Sequence, residues 1–133
     1  MKKFAVFALS ALFSATALAG ADHYVRKEGG LTQHLKVSKI KREVNVMVDV
    51  DYEPAAGDAG QPCSEDFAGE AKAVSENELV LKKQAQGEAH YCQLTIHLSG
   101  DEAKIDDSAD CASYFSGQYC RFGSDGKALT KIK

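Results

Sequence analysis

From Val44 to Glu53 the chain alternates between two sets of side chains: Val44, Val46, Val48, Val50 and Tyr52 on one parity, and Asn45, Met47, Asp49, Asp51 and Glu53 on the other. Side chains of an extended strand point to opposite faces at every second residue, so this pattern puts four valines and a tyrosine on one face. A helix would scatter them around its circumference. The segment therefore predicts a half-buried β-strand, and a lone strand needs partners before it can bury anything.

The partners are visible at lower contrast. Tyr91 to Leu98 sets Cys92, Leu94, Ile96 and Leu98 against Tyr91, Gln93, Thr95 and His97; Leu31 to Val37 alternates more loosely, and Leu79 to Leu81 is a short apolar run. Two hairpins follow from the punctuation. Phe67 to Val74 turns through Glu76-Asn77 into Glu78 to Lys83, and Tyr91 to Leu98 turns through Ser99-Gly100-Asp101 into Glu102 to Asp106. Gly, Asn and Asp tolerate the left-handed backbone that such turns use. The expected fold class is all-β, a small antiparallel barrel or sandwich stapled by two disulfides, with one short helix as a rival to the strand at Ser64 to Ala71. The stretch EPAAGDAGQP, residues 53 to 62, holds both prolines and reads as a loop.

The amino terminus fixes the expected compartment. Lys2 and Lys3 precede an apolar run from Phe4 to Leu12, and Ala17-Leu18-Ala19 offers small residues at a cleavage point. Together they read as an export signal over residues 1–19, followed by a single β-domain over 20–133. The apolar run is shorter than the roughly 20 residues a spanning helix needs. Ala21 stands where a lipoprotein would carry cysteine, so neither a membrane span nor a lipid anchor is expected. A periplasmic or secreted location follows, which argues against ATP- and nicotinamide-driven chemistry. Without Lys2 and Lys3 the net charge is about −5. That acidity argues against nucleic acid as a partner and suits a cationic one.

Cys63, Cys92, Cys111 and Cys120 permit three pairings. The preferred one joins Cys63 to Cys92 and Cys111 to Cys120, the second closing a local loop. No Cys-x-x-Cys redox pair or clustered zinc ligand set is present, so the cysteines read as staples.

The remaining polar residues offer no catalytic pattern. His23, His34, His90 and His97 are scattered, and His23 sits one position too far from the expected new amino terminus to form an amino-terminal copper chelate. Asp106, Ser108 and Asp110 mimic the start of a calcium loop, but the required Gly and Glu positions hold Cys111 and Gly117. There is no Gly-x-Ser-x-Gly, and no carboxylate pair stands out among 19 acids. We expect no catalytic residue, no metal, no cofactor and no enzyme activity. Lys36, Lys39, Lys41 and Arg42 form a local basic patch beside a strand that reads as a sheet edge.

From Cys63 to Arg121 the order CSEDFAGEA, ENELVL, YCQLTIHLSGDEAKID, CASYFSGQYCR resembles that of small exported bacterial proteins akin to periplasmic lysozyme inhibitors. In these a Cys-x-Leu-x-Ile strand precedes a Gly-Asp turn, a short strand and a cysteine loop ending in Gly-x-Tyr. Here these are Cys92 to Ile96, Gly100-Asp101, Ala103 to Asp106 and Gly117 to Tyr119. The resemblance implies a disulfide-bonded antiparallel β-fold and a Ser-Gly loop that enters a lysozyme cleft. Ser116-Gly117 is the matching place and Ser99-Gly100 the poorer one. The longer motif that surrounds the Ser-Gly loop of established inhibitors is not found here. Tyr114, Ser116, Gly117 and Tyr119 are the expected binding residues. The sequence thus points to a non-catalytic periplasmic binding protein, in its most concrete form an inhibitor of a cationic lysozyme; the alternative is a structural or adhesive protein of the cell envelope.

Overall fold

The valine strand is the wall on which the rest is built. In the computed structural model, which describes residues 21–57, 60–84, 91–114 and 120–132, it is β3 (Glu43–Tyr52). Val46, Val48 and Val50 are almost wholly buried. Around it run β1 (Ala21–Glu28), β2 (Leu31–Ile40), β4 (Cys63–Ser75), β5 (Glu78–Gln84), β6 (Tyr91–Ser99), β7 (Glu102–Asp107) and β8 (Leu129–Lys131), with a six-residue 3-10 helix at Ala109–Tyr114. Each strand pairs antiparallel with the next, and β8 returns to β1, closing an eight-stranded barrel. Eight strands enclose a lumen just wide enough for side chains to fill. Here it is filled by Leu35, Val37, Phe67, Leu81, Leu94, Ile96, Ile105, Phe122 and Leu129, each at most 2 % exposed. Burying a side chain of this size contributes roughly 1.5–3 kcal/mol.

Both hairpins drawn from the punctuation are present, with Leu79 and Leu81 facing inward from β5. The helix considered for Ser64 to Ala71 is instead the first half of β4, paired with β3 from Val44↔Ala71 to Tyr52↔Cys63. Two things decide this: Phe67 gains a buried position opposite Val48, and Gly69 would weaken a helix interior. β2 is not a sheet edge, because β1 covers its other side over eight residue pairs.

Closure is thinnest at β8, where two pairs hold it to β7 and two to β1. Ser124 extends the link. Its N–H donates to Ile105 O at 2.8 Å, and its hydroxyl accepts from the Ile105 N–H at 3.0 Å. At the β1–β2 turn, Gly30 lies so close to Glu53 O that a Cβ would stand 1.9 Å from it, while Glu53 N–H donates to Gly30 O at 2.9 Å. Only glycine fits there.

Candidate functional site

The barrel has two unlike ends, and Cys111 and Cys120, which flank the expected binding loop, belong to the more elaborate one. That end carries the β1–β2 turn, residues 53–57 and 60–62, the 3-10 helix and the return from Cys120 to Ala128. Both disulfides lie there, in a pairing that corrects the expected one: Cys63 bonds Cys120, and Cys92 bonds Cys111. The reason is in the sheet order. Cys63 on β4 and Cys92 on β6 are separated by β5. After β7 the chain folds back beneath β6, where Ser108 N–H donates to Gln93 O and Gln93 N–H donates to the Ser108 hydroxyl, both at 3.0 Å. This brings Cys111 to a Cα–Cα distance of 4.2 Å from Cys92. The returning chain then delivers Cys120 to the start of β4. The 111–120 segment is therefore not a ring closed on itself but a bridge pinned at one end to β6 and at the other to β4.

Of the expected binding residues, Tyr114 ends the 3-10 helix. Its side chain, and Ser116, Gly117 and Tyr119 entirely, lie outside the described residues. Ser99-Gly100 is at the opposite end, in the β6–β7 turn. Asp106, Ser108 and Asp110 do not converge as a calcium loop would: Ser108 is engaged with β6, and Asp106 Oδ2 stands 2.9 Å from His97 Nε2. Among the described residues no group of three or more His, Cys, Asp and Glu side chains could hold a metal ion. His90 lies outside them.

A polar plug, not foreseen from the sequence, seats the bridge's far end. Gln33 faces inward from β2 with no exposed surface, and its Nε2 donates to Phe122 O at 2.9 Å, Gly123 O at 3.1 Å and Arg121 O at 3.4 Å. Its Oε1 accepts from Arg26 Nε at 3.1 Å. Phe122 meanwhile packs edge-on against Phe67, ring centroids 5.2 Å apart. Parity was the available signal, since Gln33 shares a face with Leu35 and Val37. At the rim Arg121 reaches Asp107 at 3.0 Å, and Lys127 reaches the Glu28 carboxylate at 2.5 and 2.6 Å. Lys127 and Arg26 together hold the Glu28 carboxyl below its ordinary 4.5.

Beside this end, on the outer face, Gly30, Thr32, Asp51, Tyr52, Glu53 and Ser64 help line an open groove of about 550 Å³. The Ser64 hydroxyl donates to Asp51 Oδ1 at 2.6 Å. One step along the strands Asp49 and Asp66 stand directly opposite each other. Like charges placed so are repulsive, and the arrangement gives this face a net negative field. No helix among the described residues is long and apolar enough to cross a membrane, and two disulfides fit an oxidising compartment outside the cytoplasm. Comparison with known proteins adds no neighbour: no family model, no curated protein and no solved structure matches the chain.

Proposed function

We propose that the protein is a non-catalytic binding protein of the periplasm or extracellular space, and that it inhibits a cationic lysozyme through the 111–120 segment. The observation that carries this reading is the double anchorage of that segment, with Cys111 held to β6 and Cys120 to β4. A segment whose ends are fixed before docking loses less conformational freedom on binding. Tyr114, Phe115 and Tyr119 give it the aromatic side chains that dominate interface energetics. The acidic groove beside Asp51 and Glu53 complements a basic partner and would raise its rate of encounter.

The test is a titration of the oxidised protein against lysozymes of different structural classes, following hydrolysis and direct binding at low and physiological salt. Stoichiometric inhibition of one class is expected, weaker at the higher salt because the Debye length shrinks to about 8 Å. Absence of binding to every class would overturn the proposal.

A further inference from the structure

His23 and His34 are eleven positions apart, and the register β1–β2 places them diagonally on the outer face, with His23 opposite Lys36 and His34 opposite Val25. Their rings meet. His23 Nε2 lies 2.8 Å from His34 Nδ1, with ring centroids 5.0 Å apart and planes tilted by 37°. Both side chains are half-buried, so their outer edges face water. On the far side of His34, β3 sets Asp49 directly opposite it. Asp49 also acts electrostatically on His23.

We propose that His23 Nε2 and His34 Nδ1 form a two-imidazole clip for a divalent transition-metal ion of the copper or nickel type, with water completing the coordination. Two nitrogens bound cis at about 2.0 Å to a square-planar ion stand about 2.8 Å apart, whereas a tetrahedral ion wants about 3.3 Å. The observed 2.8 Å is the length of the hydrogen bond between the rings, and it places both nitrogens within reach of one ion. Without metal the two nitrogens share a hydrogen bond, one ring donating its proton to the other. Both rings are able to present lone pairs to an ion by moving that proton to the opposite nitrogen, His23 Nδ1 or His34 Nε2, so no proton need leave the pair. Each ring must then turn by about 45°, so that lone pairs that faced each other converge on a common point.

The surrounding charges bear on the same chemistry. Burial, His34 and Lys36 lower the His23 pKa below its ordinary 6.5, against the opposing pull of Asp49, which favours the neutral ligand form at neutral pH. Lys36 disfavours a bound cation and Asp49 offsets it. The clip has only two protein nitrogens and open positions, so it suits an exchangeable ion rather than a permanent structural one.

Calorimetry of the oxidised protein with Cu²⁺, Ni²⁺ and Zn²⁺ tests this, using H23Q, H34Q and D49N beside the unchanged chain. One Cu²⁺ per chain is expected, tighter than Ni²⁺ or Zn²⁺. Either His→Gln change should weaken Cu²⁺ by about 100-fold, because the second imidazole then no longer binds intramolecularly. D49N should weaken it by about tenfold. Binding unchanged in H34Q would overturn the clip. Should a variant fail to fold, the unchanged protein still decides: substoichiometric Cu²⁺ must broaden the imidazole resonances of His23 and His34 before that of His97, which is held between Glu78 and Asp106. Uniform broadening, or broadening of His97 first, would overturn it equally.

Discussion

At one end of the barrel the two-residue turns Lys41-Arg42, Glu76-Asn77 and Gly100-Asp101 join neighbouring strands. At the other, two disulfides, a buried glutamine and a set of rim ion pairs tie together segments far apart in the chain. The turn end is held by local chemistry: Lys41 and Gly100 take φ of 58° and 62° at the first turn position, which matches the twist of a tight hairpin. The stapled end is held by contacts such as Gln33 to Phe122, 89 residues apart. Long connections leave many ways to fold back, and covalent and polar links select one. The same links that finish the barrel fix both ends of the 111–120 segment.

The largest effect should come from removing the staples. Loop-closure entropy assigns about 4 kcal/mol to Cys63–Cys120, which spans 57 residues, and about 3 kcal/mol to Cys92–Cys111, which spans 19. Urea midpoints of the C63A/C120A and C92A/C111A double variants measure these losses. The Cys63–Cys120 variant should lose more, and an unmoved midpoint in either would remove the distinction between the two ends.

The same division explains which parts were legible in the sequence. β3, β6 and the two hairpins could be read because period-two alternation and turn residues act over a few positions. Val44 to Tyr52 and Gly100-Asp101 carry their own instructions. β8 is only three residues long, and β1 has one fully buried residue, Tyr24, so neither presents an alternation to read. The pairing of Cys63 with Cys120 follows from β5 standing between β4 and β6, a fact of sheet order with no local signature. The expected loop at Tyr114 to Tyr119 lies mostly outside the described residues, and the partners of its flanking cysteines, Cys92 and Cys63, had no local signature. His23 and His34 looked scattered because only the β1–β2 register brings their rings together.

Gln33→Leu sharpens the comparison at intermediate size. Leucine fills similar space but leaves the carbonyls of Arg121, Phe122 and Gly123 without the donor they share, and the Arg26 Nε–H without its acceptor. A buried polar group stripped of its partner costs about 1–3 kcal/mol, and a loss near 2 kcal/mol is expected. Amide hydrogen exchange localises it. The Ser124 N–H, bonded to Ile105 O beside the plug, should lose protection by a larger factor than the Leu98 N–H, bonded to Asn77 O at the turn end. Equal losses at both would mean that the two ends unfold as one unit and that the plug has no local role.

The smallest effect belongs to the rim. Glu28 accepts from Lys127 and Arg26, and these bonds and charges depress its pKa from 4.5. A carboxyl whose folded pKa is lower than its unfolded one stabilises the fold above the unfolded value and loses that contribution as pH falls through the folded one. Stability should therefore decline below about pH 4.5 with a component that E28Q removes. The carboxylate is exposed, so the component is small and salt weakens it further. Comparing thermal midpoints of the unchanged protein and E28Q between pH 3 and pH 7 isolates it, the two curves converging at the acid end. Curves that stay parallel across the range would show that the Glu28–Lys127 contact does not help seat the stapled end, leaving that task to Gln33 and the disulfides.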